Sequence, residues 1–435
     1  MTGIIAIFAD YLSTMSYEEQ IERLYNRFPS YQVVGNRAYK PGIETVRELD
    51  EVLGRPHERY RTIHVAGTNG KGSVCHLVAS ALAHTGLKVG LYSSPHLVDF
   101  RERMKVVTAG GYRMISREQV SAFLTEWDGF FDTHDPSFFE ITTAMAFDFF
   151  AKEKVDIAVI ETGLGGRLDS TNIISPILSI ITNIGLEHCT YLGYTLEEIA
   201  FEKGGIIKPG VPVVIGSEDS HTAPVFARLA KERKSEILHA MEYDCSASGI
   251  TADELDLRGD YQQENLRTAL CALDKLGALS HEALEGLRTA AATTGLRGRW
   301  EKIDLGEGKP RLICDIGHNP HGLKWVFSQL EKENAGRVFV VFGMVADKDL
   351  ESVAVFMPKP GKHFRYIFTQ ASTNRALRAR ELADRLRPFG IRGRVVPGVK
   401  KALESALERA DSNDLIFVGG SNFTVADALV ALETR

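Results

Sequence analysis

The sequence predicts an α/β protein of two domains, each organised around a mostly parallel sheet. Three observations carry that prediction. The chain of 435 residues is longer than one ordinary core can serve. Two separate series of short apolar runs alternate with longer amphipathic stretches. The first such run also leads directly into a glycine-rich turn, Gly67-Thr68-Asn69-Gly70-Lys71-Gly72-Ser73, with a helical pattern behind it.

Taken in order, residues 17–53 read as helices and loops, with Tyr17, Ile21, Leu24 and Tyr25 at helical spacing. Runs at 62–66, 89–93, 156–161, 178–183 and 211–215 suit strands buried on both faces. Between them, 75–84, 139–150 and 223–234 have helical patterning. The second series follows Gly298. Its expected strands are 312–315, 338–342, 366–370, 394–396 and 415–418, and its expected helices are 322–333, 378–388, 399–410 and 425–432. Residues 293–299, rich in Thr, Gly and Arg, mark the boundary and give domains of 1–296 and 297–435.

Composition narrows the function classes. Hydrophobic residues at 44% and charged residues at 25% are ordinary globular values, which argues against disorder. A net charge of −6 gives no electrostatic ground for binding nucleic acid or an anionic membrane. Cys75, Cys189, Cys245, Cys271 and Cys314 lie far apart, which disfavours a zinc ribbon and fits a reducing compartment. The apolar opening Gly3 to Phe8 is short and lacks a basic flank, so no signal peptide is expected. No later stretch approaches the roughly 20 apolar residues of a membrane span. A soluble cytoplasmic protein is the expectation.

The glycine-rich turn sits where a phosphate site has to be, because backbone N–H groups and a helix dipole converge there on an anion. Its glycines let the backbone approach oxygen closely. Lys71 can reach the β- and γ-phosphates, and the Ser73 hydroxyl can face Mg²⁺. The loop is shorter than the common G-x-x-x-x-G-K-[ST] form, and Gly72 separates Lys71 from the hydroxyl. A plain glycine-rich turn is the competing reading; the order of strand, loop and helix argues against it.

This turn, with Tyr92-Ser93-Ser94-Pro95-His96-Leu97, resembles the folylpolyglutamate synthase/dihydrofolate synthase family of Mur-type ligases. The resemblance continues through Glu161-Thr162-Gly163-Leu164-Gly165-Gly166-Arg167-Leu168-Asp169, Glu187-His188, Glu202-Lys203, Asp315 to Pro320, and Gly419-Gly420-Ser421. Several motifs in order are more specific than one phosphate loop. The resemblance implies a Mur-ligase-like P-loop domain and a smaller Rossmann-like C-terminal domain, with the active site in the cleft between them. It also implies that such chains begin near Met15, so residues 1–14 read as an upstream extension.

The activity so implied is an ATP- and Mg²⁺-dependent ligase joining L-glutamate to tetrahydrofolate or dihydropteroate through an acyl phosphate, with a monovalent cation such as K⁺ as an optional addition. By resemblance, ATP would meet Gly67, Thr68, Asn69, Gly70, Lys71, Gly72, Ser73, Asn265, Arg299 and Asp315. The metal would meet Ser73, Ser94, Glu161 and His188. Catalysis would rest on Lys71, Lys203 and His318. Folate and glutamate would meet Ser137, Phe139, Glu140, Arg167, Asp169, His318 and Ser421. Lys348, Asp349 and Arg375 are further candidates near the site.

The chemistry of these residue types is consistent with the roles, and each has a plainer alternative. Glu161 ends a strand at the sheet edge where ligands bind, and a carboxylate suits Mg²⁺. His188 is either a metal ligand or a structural hydrogen-bonder, and Ser94 either a ligand or a turn hydroxyl. Lys203 is either a surface lysine or a desolvated amine that reacts with CO₂ to give a carbamate, as the family resemblance implies. Asn265 could read adenine or be merely solvated, and Arg299 could stabilise a transferred phosphoryl group or be a linker cation. Phe139 could stack on a pterin, with Glu140 accepting its N–H groups, or belong to the core with Phe138. The sequence departs from the family with Glu187 for Asp, Gly205 and Gly317 for Ala, Asn374 for Pro, and Asn422 for an apolar residue.

Two rivals follow from the same loop. A cell-wall Mur ligase would carry a separate nucleotide-sugar domain, but only 66 residues precede Gly67. A P-loop ATPase switch would leave Glu161, His188 and Lys203 idle. The expected partners are therefore small molecules, with no nucleic acid, no membrane and a monomeric chain.

Overall fold

The computed structural model describes residues 15–30, 40 and 42–434; the expectation for residues 1–14 falls outside the described residues. The chain divides into two compact units. One runs to Asp256 and resumes over Gln263–Gly295, and the other comprises Leu257–Gln262 and the chain from Leu296.

In the first unit, α1 (Tyr17–Arg27) and α2 (Glu44–Val52) precede β1 (Arg61–Ala66) and α3 (Lys71–His84). There follow β2 (Val89–Tyr92), β3 (Met104–Thr108), β4 (Gly111–Met114), α4 (Arg117–His134), α5 (Phe138–Lys152), β5 (Ile157–Glu161) and β6 (Leu178–Ile181). Next come α6 (Cys189–Leu192), α7 (Leu196–Gly204), β7 (Val213–Ile215), α8 (Ala223–Arg233), β8 (Ile237–His239), α9 (Gln262–Lys275), α10 (His281–Arg288) and α11 (Ala290–Thr294).

The strands form an eight-stranded sheet in the order β4-β3-β2-β5-β1-β6-β7-β8. Its parallel members β2 and β5 are buried along their whole length, which is why they read as continuous apolar runs rather than alternating ones. From β1 the chain winds one way through β5 and β2 and the other way through β6 and β7. The end of β1 is thus a switch point, with β5 and β6 as its neighbours.

Four helices of this unit start where side chains take up orphan N–H groups. Ser16/Glu19, Ser116/Gln119, Ser137/Glu140 and Thr195/Glu198 each form a reciprocal capping box at the start of α1, α4, α5 and α7. Phe147 and Phe150 of α5 are fully buried in the main core.

The second unit contains β9 (Glu301–Ile303), β10 (Arg311–Asp315), α12 (Pro320–Lys332), β11 (Val338–Phe342) and α13 (Leu350–Ala354). It continues with β12 (Phe364–Phe368), α14 (Ala379–Leu386), β13 (Gly393–Val395), α15 (Val399–Leu407), β14 (Leu415–Gly419) and α16 (Asn422–Glu433). The six-stranded sheet runs β13-β12-β11-β14-β10-β9, parallel except for β9. Asp315 pairs in register with Gly419, and Gly419 with Phe342, so these strand ends share one edge.

Both α/β units match the expected class, and four strands are corrections to the sequence reading. The antiparallel hairpin β3–β4 was not expected, because β4 shows solvent on most of its length and lacks an apolar run. The strands β8 and β9 are three residues each, too short for periodicity to register. No helix among the described residues is long and apolar enough to cross a membrane.

Candidate active site

The loop after β1 is built to hold its backbone open. A Cβ on Gly67, at φ +146°, would collide with the Thr182 hydroxyl, and one on Gly70, at φ +82°, with the Asn265 side-chain oxygen. Gly70 then serves as the N-cap of α3, so the first N–H groups of that helix face the loop.

A second loop, after β6, clasps the first. The Thr182 hydroxyl donates to the Asn69 carbonyl at 2.6 Å, and Asn69 N–H donates to Asn183 Oδ1 at 2.9 Å. Thr68 N–H donates to the Asn183 carbonyl at 2.9 Å, while Gly185 N–H donates to the Thr68 hydroxyl at 3.0 Å. Such a network fixes the loop before any ligand arrives, which lowers the ordering cost of binding.

Two lysines point at this loop. Lys71 Nζ donates to the carbonyls of Gly67 at 3.0 Å and Thr68 at 3.2 Å. Lys203, in the last turn of α7, is 4% exposed and donates to the Gly67 carbonyl at 2.8 Å. Burial first, and the Lys71 charge second, push the Lys203 amine down to about 7, against the opposing pull of Glu187 and Asp169. The alternative of an ordinary surface lysine does not survive this placement.

Glu161 lies opposite Val65 in the β1–β5 register, is 4% exposed, and accepts the Ser94 N–H at 3.2 Å. Ser73, in the first turn of α3, is 1% exposed. His188 sits in a left-handed conformation at the start of α6, its Nε2 3.9 Å from the Glu187 carboxylate. Among the described residues no three His, Cys, Asp or Glu side chains gather as a closed metal cage. The Glu161 carboxylate beside Ser94 has the oxygen chemistry that suits a Mg²⁺ taking its remaining ligands from phosphates and water.

The turn after Glu161 is fastened by Asp169, which is 3% exposed. Its carboxylate accepts N–H from Gly163 at 2.9 Å and Leu164 at 2.8 Å, and both the N–H (3.0 Å) and the hydroxyl (2.5 Å) of Thr171. Burial still holds its carboxyl above the usual range. Arg167 reaches the Glu202 carboxylate at 2.8 Å and lies 5.7 Å from the Phe201 ring centre. The half-buried Phe139 ring lies against Gly163 and 5.9 Å from Tyr92, whereas Phe138 stacks on Tyr25 at 5.1 Å inside the core.

In the second unit, Asp315 is 2% exposed and accepts from the Tyr261 hydroxyl at 2.7 Å, Trp300 N–H at 2.9 Å and Gly317 N–H at 2.7 Å. Burial raises its carboxyl, and the nearby Arg299 charge opposes that. Arg299 Nε is buried without a hydrogen-bond partner among the described residues. His318 Nδ1 lies 3.0 Å from the Ile316 carbonyl. Ser421 is the N-cap of α16, accepting Thr424 N–H at 3.1 Å. Asp349 caps α13, and Arg375 pairs with Asp347 at 2.6 Å.

Known proteins carry the same architecture. Residues 65–273 match the Mur ligase middle domain, and residues 298–422 the Mur ligase glutamate ligase domain. The dihydrofolate synthase/folylpolyglutamate synthase of Bacillus subtilis is 31% identical over 417 residues, covering 89% of this chain and 94% of that one. The chain belongs to the dihydrofolate synthase/folylpolyglutamate synthase family.

A structure of E. coli FolC in complex with DHPP and ADP superposes with TM-score 0.82 at 28% identity, covering 97% of this chain and 99% of that one. A bifunctional folylpolyglutamate synthase/dihydrofolate synthase with Mn, AMPPNP and L-glutamate bound gives TM-score 0.76 at 29% identity, covering 91% and 95%. Against the probable bifunctional folylpolyglutamate synthase/dihydropteroate synthase of Halobacterium salinarum, 32% identical, the chain spans about half the relative's length, 49%.

Within this family member the structure brings Lys71, Lys203 and Asn265 to the phosphate loop, sets Glu161 against Ser94, and uses Asp169 to fasten the turn after Glu161. Asn265 is 5% exposed, so it is not a solvated helix residue. Its side chain meets Gly70. Ser137 and Glu140 bond each other as the cap of α5, at 2.7 Å and 3.2 Å, a role that their S-x-x-E spacing announces. Sequence reading missed Thr182, Asn183 and Tyr261. The first two carry a usable signal, since polar residues ending a buried strand beside a phosphate loop have to bond something.

Proposed function

We propose that this chain is an ATP- and Mg²⁺-dependent ligase that forms an amide between L-glutamate and the carboxylate of dihydropteroate, of a tetrahydrofolate glutamyl tail, or of both. The observation that carries the reading is the buried Lys203 amine beside Lys71 on the phosphate-loop carbonyl. An ATPase switch has no use for a desolvated second amine there. In this reading the first unit binds ATP and the folate, the C-terminal unit serves the glutamate step, and the chain works as a cytoplasmic monomer on small molecules alone.

The acceptor carboxylate attacks the γ-phosphorus of ATP, forming a C–O–P link as ADP departs. The loop N–H groups of residues 67–73 and the Lys71 ammonium hold the transferring phosphoryl oxygens, and Arg299 supplies a further cation. Ser73, Ser94, Glu161 and His188 would hold Mg²⁺, which would supply charge neutralisation at the phosphates. The amine of glutamate then attacks the acyl carbon, and phosphate leaves with its electron pair. Phe139 offers a flat apolar face for the pterin, and Glu140, Asp169, Arg167 and Ser137 line its surroundings. Asn265 and Asp315 contact the nucleotide, and His318 and Ser421 the glutamate side. Lys203, as a carbamate, would provide an anion beside the phosphate loop.

ADP release measured with dihydropteroate or tetrahydrofolate, with and without L-glutamate, tests the reading. Release that needs both acceptor and glutamate, with a product heavier by one glutamyl residue, is expected. Release indifferent to either substrate would return the chain to a P-loop ATPase.

A further inference from the structure

A buried run of hydrogen bonds supports the turn after Glu161, wholly within the first unit. His64 on β1 and Thr171, in the single turn Ser170–Ile173, are both fully buried. The Thr171 hydroxyl donates to Asp169 Oδ1 at 2.5 Å, so its oxygen is left to accept the His64 Nε2–H at 2.8 Å. Asp169 Oδ1 also takes the Thr171 N–H, while Oδ2 takes the N–H groups of Gly163 and Leu164. These donors fill the lone-pair sites of the carboxylate, which therefore acts on the turn. Gly163 is where that turn meets the Phe139 ring, and a Cβ there would stand 2.5 Å from Phe139 Cζ. Only a glycine allows so close an approach.

We infer that Thr171 is a positioning residue for the acceptor substrate: anchored by His64, it aims the Asp169 carboxylate at the Gly163 and Leu164 N–H groups and so sets the turn against which the Phe139 ring rests. The inference deepens the proposed function and rests on its reading of Phe139 as the face for the pterin. Thr171 is fully buried and acts only through Asp169. The phosphate loop is held by a different set of bonds, from Thr182 and Asn183, so loosening the turn leaves the nucleotide site in place. A threonine that only stabilised the fold would lower the melting temperature and leave acceptor affinity unchanged.

Titration calorimetry on the full chain, with dihydropteroate and tetrahydrofolate in the presence of ADP and Mg²⁺, separates these cases. Thr171→Val keeps the side chain's shape and drops the hydroxyl. It is expected to weaken the acceptor that wild type binds roughly three- to tenfold, the range of one lost hydrogen bond, with ADP affinity unchanged. Thr171→Ser, which keeps the hydroxyl, should bind like wild type. Phe139→Ala should weaken the acceptor as well, and the double variant should be no weaker than Phe139→Ala alone, because one residue acts through the other. Wild-type acceptor affinity in a folded Thr171→Val, an equal loss of ADP affinity, a serine variant as weak as the valine one, or two losses that multiply would overturn the inference. Wild-type affinity in Phe139→Ala, or a wild-type chain that binds neither acceptor, would instead overturn the reading on which it rests. If Thr171→Val does not fold, hydrogen exchange of the wild-type chain decides. Binding that depends on the order of the turn must in return order the turn. The Gly163 and Leu164 amides should therefore exchange several-fold more slowly with acceptor bound, and unchanged exchange there would overturn the coupling.

Discussion

Lys71 and Lys203 donate to the same acceptor, their ammonium nitrogens lying 3.0 Å and 2.8 Å from the carbonyl oxygen of Gly67. One carbonyl cannot neutralise two cations, and the two lysines differ in what water can do for them. Lys203 is buried and gives up its proton at about 7, with Lys71 among the causes. The pair is thus asymmetric, with Lys71 half-buried and the Lys203 amine buried and easily neutralised.

Lys71→Ala is expected to abolish ligation while the chain remains folded. The lost cation faces the phosphates, and such a loss costs several kcal/mol, on the order of 10³-fold in rate. Coupled ADP-release kinetics together with a thermal melt check it. A folded variant turning over like wild type would remove Lys71 from the reaction.

Glu161→Gln and His188→Ala should each raise the Mg²⁺ concentration needed for half-maximal rate roughly tenfold or more. The amide keeps the shape of Glu161 and its bond from Ser94 N–H but drops the charge that a hard cation requires. Mg²⁺ titrations of both variants overlaying wild type would make these residues structural.

Much of this was legible in the sequence, for identifiable reasons. Parallel strands buried on both faces announce themselves as apolar runs, and a phosphate loop can only stand between such a strand and a helix. The residues that escaped act through tertiary contact. Thr182 and Asn183 follow a strand more than a hundred residues after the loop they bind, and Tyr261 finds Asp315 across 54 residues. Gly205 reads as a minor change from alanine, yet a Cβ there would come within 2.6 Å of the Arg167 backbone nitrogen. Close approach of two backbones leaves no mark in local periodicity.

His64 gives the fold a calculable sensitivity to acid. It is fully buried on β1, its Nε2 2.8 Å from the Thr171 hydroxyl, whose own proton goes to Asp169. Nε2 therefore donates, while Nδ1 has no hydrogen-bond partner among the described residues. Burial pushes its pKa from 6.5 down to about 3. Between those values the unfolded chain binds a proton that the folded chain refuses, so stability falls as pH drops through that window. The loss by pH 4 should be on the order of 3 kcal/mol. Urea melts across pH 4–7 should show a shallower decline in His64→Gln. Equal slopes in variant and wild type would place the acid sensitivity elsewhere.

Lys203 offers the sharpest test of the mechanism, because the two states open to it carry opposite charge. Its amine is neutral often enough near pH 7 to add to CO₂, giving a carbamate anion and releasing a proton. An unmodified ammonium at the same place would be a cation beside Mg²⁺ and Lys71. Lys203→Ala should therefore be nearly inactive, and acetate or another short carboxylate should partly restore it by occupying the vacated space. Lys203→Arg should stay inactive with or without acetate, since it keeps the positive charge and cannot take up CO₂. Depleting bicarbonate should slow the wild type, and restoring it should recover the rate. Mass spectrometry is poorly suited to the labile adduct, so a crystal structure at neutral pH is the direct measurement. An active arginine variant, or a bare ammonium far from the metal in that structure, would show that the required charge is positive and end the carbamate assignment.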